Sequence, residues 1–174
     1  MCRTEAALGP LSWGIKDSLI AYVLGMSDGS VRLAPPAAQT PTGFRFAPDP
    51  TAVQAPTDAP HTLRFAGTVT LQGHGGMLRI EIADPWLVAP AVAPDGTGDA
   101  EAAAPWQLTI HDPFEPGERL VFAEIDRVEE GPDGTLNCVG TRLAADGADL
   151  FFAGPYSRGT LLHNPVVAPA DRRA

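Results

Sequence analysis

Proline and glycine recur along almost the whole chain, and this decides what it can fold into. Eighteen of each stand among 174 residues. Proline removes a backbone donor and glycine stops regular elements, so the segments between them suit short strands joined by turns. Hydrophobic residues make up 44% of the chain, enough for a packed core, which argues against a disordered polypeptide.

One helix is expected, over residues 12–24, with Ser12 as N-cap and Gly25 as stop. Leu11, Ile15, Leu19 and Tyr22 follow the spacing of an apolar helical stripe, and Ser18 lies one turn before Tyr22. Short strands are expected at 30–33 and 43–47, with loops at 34–42 and 48–60. Residues 61–72 alternate cleanly and read as one strand. Leu63, Phe65, Val69 and Leu71 share one face, and Thr62, Arg64, Thr68, Thr70 and Gln72 share the other.

Gly73-His74-Gly75-Gly76 interrupts that strand, which resumes over 77–82 and, after Asp84-Pro85, over 86–88. Residues 89–104 lack periodicity and read as a mobile loop. Strands are expected at 106–110, 119–128, 135–143 and 149–153, with a turn at 131–134 and a frayed tail after Val167. The pattern predicts one mainly β domain over 1–174, with its core over about 11–167. It takes the form of an antiparallel β-sandwich or partly open barrel, with the short N-terminal helix packed at one end.

A net charge of −9 argues against nucleic acid and against an anionic membrane surface as partners. No apolar run is long enough to insert in a membrane. The first residues lack the apolar core of a signal peptide. A native N-terminus therefore implies a cytoplasmic protein, and a removed leader an exported one. Cys2 and Cys138 form neither a disulfide framework nor a zinc pattern, and Cys138 reads as a reduced, buried thiol. Lys16 is the single lysine beside eleven arginines, a bias that fits a GC-rich genome and hints that position 16 wants an ammonium.

Two places could carry chemistry. Three glycines around His74 allow a sharp bend and close approach to something large, although a histidine in a glycine turn is also ordinary. Tyr22 on an amphipathic helix would by itself be a core-edge residue with a wet hydroxyl. Taken together they suggest more. A tyrosine phenolate is a hard ligand that favours ferric over ferrous iron and is a known axial ligand of haem. Free phenol titrates near pH 10, so ligation at neutral pH needs the metal charge and a hydrogen-bond donor, which an imidazole supplies.

Three ordered motifs carry a resemblance. Trp13-Gly14-Ile15-Lys16-Asp17-Ser18-Leu19-Ile20-Ala21-Tyr22 resembles the opening of the HtaA domain, known from corynebacterial-type haem-uptake proteins. Gly73-His74-Gly75-Gly76, with Leu78, Ile80, Ile82 and Asp84-Pro85, resembles its second signature. Phe152-Ala153-Gly154-Pro155-Tyr156, with Gly159-Thr160 and Asn164-Pro165-Val166, is similar to its closing segment. The chain departs from the family at Leu19, where a Phe is usual, and at Pro155, where an aromatic is common.

The resemblance implies a haem-binding β-rich domain. It implies Tyr22 as axial ligand of ferric haem b, His74 as that ligand's hydrogen-bond partner, Ser18 in contact with the haem, and Phe152 packed on the macrocycle. Gly73 and Gly75 would frame the site, and Lys16, Ser18 and Arg64 are candidates for the anionic propionates. His61, His111 and His163 read as solvated or hydrogen-bonded. The expected function is haem transport, transfer or buffering, with a haem donor or acceptor protein as partner and no enzymatic activity. The alternatives are a haem-using or haem-degrading enzyme, or a cofactor-free β-sandwich module that binds glycan or protein.

Overall fold

A computed structural model of the protein describes residues 8–50, 62–90, 104–151 and 156–170. Along these residues the order is β1 (Leu8–Trp13), α1 (Asp17–Gly25), β2 (Ser30–Ala34), β3 (Ala38–Thr40), β4 (Gly43–Pro48), β5 (Thr62–Ala66) and β6 (Thr68–Gly73). A 3-10 turn at His74–Gly76 leads to β7 (Leu78–Ala83), β8 (Trp86–Val88), β9 (Trp106–His111), β10 (Arg119–Glu130), β11 (Leu136–Leu143), α2 (Ala145–Asp149) and β12 (Val166–Pro169).

The large sheet runs β1-β12-β11-β10-β9-β8-β5-β4, and β4 then pairs back with β1 through Leu11↔Phe46 and Trp13↔Phe44. That last pairing closes the antiparallel sheet into a barrel, so of the two architectures expected from the sequence the barrel is the one formed. Short β3 adds to the start of β4, inside the segment expected to be a loop. A second sheet, β2-β6-β7, carries α1 against β2 and β6. Trp13, Phe46, Phe65, Leu108, Phe122 and Ile125 from the barrel belong to one buried cluster with Val69, Leu71, Ile80 and Ile82 from the small sheet.

The helix begins five residues later than expected. Ser12 is an exposed position in β1, not an N-cap. Leu11 and Trp13 point inward at a period of two, and β1 is laddered on one edge to β4 and on the other to β12. Ile15, at φ 60, breaks the strand before Lys16 caps α1. The spacing of four between Leu11, Ile15 and Leu19 suits a helix, but it also keeps the parity of a strand.

The expected strand over 61–72 is two strands in two sheets. Gly67 separates them at φ 120, and a Cβ there would stand 2.5 Å from the Ala37 nitrogen. β5 goes to β8, and β6 goes to β2 and β7. The two-residue alternation passes through the bend unchanged, so Phe65, Val69 and Leu71 are still buried together.

Asp84, at φ 45, fixes the corner between the sheets. Its carboxylate accepts from the Gly67 N–H at 2.8 Å, and its own N–H donates to the Gly67 carbonyl at 2.9 Å. Arg119 Nη2 donates to the Asp84 carbonyl at 2.6 Å, and His111 Nε2 lies 3.1 Å from the Asp84 carboxylate. The Arg119 and Arg64 guanidiniums both stack on Trp86, at 3.8 and 4.3 Å from the ring centroid. Burial brings the Arg119 guanidinium down to about 10; the Asp84 charge opposes that shift and the Arg64 charge adds to it.

Two further expectations are corrected. Where a strand was expected from residue 149, the chain forms the short helix α2 followed by a turn through Leu150 and Phe151. Gly147 lets this helix press on β10, since a Cβ would stand 2.2 Å from the Phe122 carbonyl oxygen. The end of the chain is not frayed directly after Val167, because β12 continues to Pro169 and pairs with both β1 and β11. Cys138 is a buried free thiol, and burial pushes it up to about 12. Most of the loop expected at 89–104 lies outside the described residues, as do Cys2, His61 and Phe152.

Candidate functional site

The helix α1 carries Asp17 in its first turn, a favourable place for a negative charge at a helix N-terminus. Leu19 and Val23, four residues apart, form its buried stripe. Tyr22 is not on that stripe as the spacing suggested: it is 47% exposed, on the same outer flank as Ser18 one turn earlier. The helix thereby turns its tyrosine away from the core.

β6 and β7 bring His74 to that tyrosine. Their ladder runs from Thr68↔Ala83 to Gly73↔Leu78 and ends in the turn that holds His74. His74, Gly75 and Gly76 take φ of 52, 64 and 89, three consecutive left-handed residues. Two of the three are glycines, which enter this region without steric penalty. His74 Nε2 lies 2.6 Å from the Tyr22 hydroxyl oxygen, and the ring planes are tilted by 52°. The imidazole tautomer sets the direction of the proton in that bond.

The turn after α1 braces this arrangement. The Gly75 N–H donates to Asp28 Oδ2 at 2.6 Å. A Cβ on Gly73 would stand 2.6 Å from Met26 Cε, so Gly73 gives its space to the Met26 side chain. Around Gly75 nothing would meet a Cβ within 4 Å, so its backbone conformation is what requires glycine. The Asp28 carboxyl is held below its ordinary value, chiefly by the Gly75 N–H.

The opening motif also has a structural task. The buried Trp13 indole donates to the His163 carbonyl at 2.7 Å, and the His163 N–H donates to the Ile15 carbonyl at 2.8 Å. Lys16 Nζ donates to the Leu161 carbonyl at 3.1 Å, and His163 Nε2 lies 3.1 Å from the Asp17 carboxylate. These bonds tie the start of α1 to the segment before β12. Between them lies a shallow depression of about 240 Å³ lined by Lys16, Asp17, Ser18, Leu161, Leu162 and His163.

The structure thus brings together Tyr22, His74, Gly73 and Gly75, with Ser18 one turn away on the same helix flank. Lys16 already serves the closing segment with one of its three donors. Arg64 stands on β5 with its guanidinium on Trp86, engaged at the Asp84 corner. Asp28 and Met26 were not foreseen, while His163 is hydrogen-bonded, one of the two states expected of it. The buried Trp13 indole required an acceptor, but the one it finds is a main-chain carbonyl, which no residue type announces. For Asp28 there was no signal beyond a turn-like Ser-Asp-Gly.

Comparison with solved structures finds the same fold in the C-terminal domain of HtaA from Corynebacterium glutamicum. The identity there is 21%, with 92% of this chain and 97% of that chain covered and a TM-score of 0.61. The N-terminal domain of HtaA from the same organism matches at 21% identity over 95% of this chain and 99% of that one, with a TM-score of 0.63. The heme binding protein HtaB of C. glutamicum matches at 15% identity over 92% and 91%, with a TM-score of 0.58. A search of curated proteins returns no match. The HtaA family model, however, matches residues 8–168, from the first strand of the barrel to the last, and the chain belongs to the HtaA family.

Proposed function

We propose that this chain binds ferric haem b through the Tyr22 phenolate and serves as a haem carrier, in transport, transfer or buffering, and not as an enzyme. The observation that carries the reading is the 2.6 Å contact between the Tyr22 hydroxyl and His74 Nε2, joining residues 52 apart at an exposed position. A tyrosine packed at a core edge has no need of such a partner, whereas a ligand oxygen does. The name of HtaB, a heme binding protein of like fold, agrees with the reading.

The residues present suit such a group. Tyr22 is 47% exposed, so a planar molecule can approach it from solvent. In the tautomer that protonates Nε2, His74 donates to that oxygen and favours its anionic form. Bound haem would supply a ferric Lewis acid to complete the stabilisation of the phenolate. Ser18 and Lys16, on the preceding turn of chain, offer donors to the anionic propionates. A phenolate holds the ferric state better than the ferrous one, which suits holding and release better than redox cycling.

Titrating hemin into the apo-protein and into Tyr22→Phe tests the proposal. The Phe variant keeps the ring and loses the oxygen. Its affinity falls by more than the roughly 100-fold that bounds loss of an outer partner, and its thermal midpoint stays within a few degrees of wild type. Wild-type affinity and spectrum in the Phe variant would remove Tyr22 as ligand. Multiple turnovers of haem breakdown with reductant and oxygen would replace the carrier reading by an enzymatic one.

A further inference from the structure

A histidine at φ 52 is not in a conformation that an L-residue holds without help. The turn it opens is short: it is closed by the Met77 N–H on the His74 carbonyl, at 3.1 Å, and by the Gly73↔Leu78 end of the ladder. His74 is exposed, so packing does not fix it. Yet its ring nitrogen stands at hydrogen-bond distance from Tyr22. Contacts from outside the turn can help to select this conformation for His74.

Besides Tyr22 on the ring, the outside contact on the turn's own backbone is Asp28. Its Oδ2 takes the Gly75 N–H at 2.6 Å, the short distance of a charge-assisted bond. Asp28 lies only six residues after Tyr22, in the turn that leaves α1. That turn is itself tightly set. The Gly29 N–H donates to the Met26 carbonyl at 3.1 Å, and a Cβ on Gly29 would stand 1.6 Å from the Val23 carbonyl oxygen. The Met26 side chain meets Gly73 on the other side of His74. The segment that carries the tyrosine therefore also grips the turn that carries the histidine, on both sides of that histidine.

We propose that Asp28 is the positioning residue of this site: by holding the Gly75 amide it keeps the turn left-handed and His74 aimed at the Tyr22 oxygen. The importance of that aim for haem rests on the ligand reading given above. Asp28 bonds to the Gly75 amide and not to the Tyr22 hydroxyl, so its proposed effect runs through His74. The carboxyl lies below its ordinary value with the Gly75 N–H as the largest cause, as expected of an acceptor engaged in its ionised form.

The test is a cycle of four proteins: wild type, Asp28→Ala, His74→Ala and the double variant, with Asp28→Asn as a conservative partner. In the apo-proteins, nuclear Overhauser contacts between the Tyr22 and His74 rings and exchange of the Gly75 amide report the pair without haem. The Asp84 amide, bonded to the Gly67 carbonyl, serves as a folding control. Asp28→Ala is expected to lose the ring contacts and the Gly75 protection while the Asp84 amide stays protected. Asp28→Asn, which keeps an acceptor oxygen, recovers part of both.

With hemin, Asp28→Ala is expected to weaken binding by up to the roughly 10–100-fold typical of a lost outer partner when His74 is present, and by less than about 2-fold when it is absent. Equal loss in the two backgrounds overturns the proposal, as do intact ring contacts in the alanine variant. If wild type fails to take up hemin, the ligand reading fails, and the ring contacts still decide whether Asp28 positions His74.

Discussion

A left-handed residue other than glycine stands beyond each end of β7, His74 in the turn four residues before it and Asp84 directly after it. His74 precedes the strand at φ 52, and Asp84 follows it at φ 45. Such a conformation costs an L-residue about 1–2 kcal/mol, and the molecule holds the two in different ways. The Asp84 corner is crossed by reciprocal bonds with Gly67, by Arg119 on its carbonyl and by His111 on its carboxylate, all anchored in the barrel. The His74 corner has Asp28 on one amide and the Tyr22 hydroxyl on one ring nitrogen, both from the segment around α1. The first corner is over-determined and joins two sheets. The second is held just enough to present a side chain to solvent. Strain at the first serves the fold, and strain at the second would serve the proposed haem site.

The strongest way to break this contrast is at Gly67. Alanine there would carry φ 120 and put its Cβ 2.5 Å from the Ala37 nitrogen. Backbone strain and overpacking add to a loss of about 3 kcal/mol. Denaturant unfolding of Gly67→Ala should show that loss, with unchanged hemin affinity in the fraction that stays folded. A loss under about 1 kcal/mol would mean that the corner yields and is not the rigid joint described.

The complementary change is His74→Ala. It removes an exposed side chain, so unfolding free energy should move by less than about 0.5 kcal/mol. On the proposed ligation by Tyr22, hemin affinity should fall by roughly 10–100-fold, since that oxygen loses its supporting imidazole. If stability falls and affinity does not, the roles assigned to the two corners are reversed.

The contrast between the corners also governs what the sequence could reveal. Parity along β5, β6 and β7 was readable because one face of each strand is buried, and Gly67 turned the chain without disturbing the count. That the Tyr22 and His74 side chains meet was readable because their motifs carry unusual residue types in order. Ser12 was misread because β1 owes its existence to ladders from β4 and β12, which local periodicity does not contain. The short helix α2 escaped because what seats it is the space Gly147 leaves beside Phe122. Asp28 escaped for the same kind of reason: its amide partner lies 47 residues away.

A milder change sharpens the comparison between the glycines at the two corners. Gly75 is left-handed like Gly67, but a Cβ there meets nothing within 4 Å. Gly75→Ala should therefore pay the conformational term alone, about 1 kcal/mol, and its unfolding should be far closer to wild type than that of Gly67→Ala. A loss of 3 kcal/mol at Gly75 would show that the exposed corner is as constrained as the buried one.

Acid should separate the two corners with the smallest effect of all. The Asp28 carboxyl is depressed in the folded chain, first by the Gly75 N–H, so it binds its proton more readily when unfolded. Its contribution is then fully present above the unfolded value of 3.8 and is lost as pH falls through the lower folded value. The corner at Asp84 keeps bonds that do not titrate, because the Asp84 N–H and the Arg119 guanidinium both end on main-chain oxygens. On acidification the Gly75 amide should lose protection from hydrogen exchange before the Asp84 amide does. Its nitrogen and proton shifts should move with an inflection below 3.8 that disappears in Asp28→Asn. An inflection at or above the ordinary carboxylate value would mean that the Gly75 bond is not made in solution. Simultaneous loss of both amides would mean that acid opens the hairpin as a unit, and the two ends of β7 would then differ in exposure but not in how they are held.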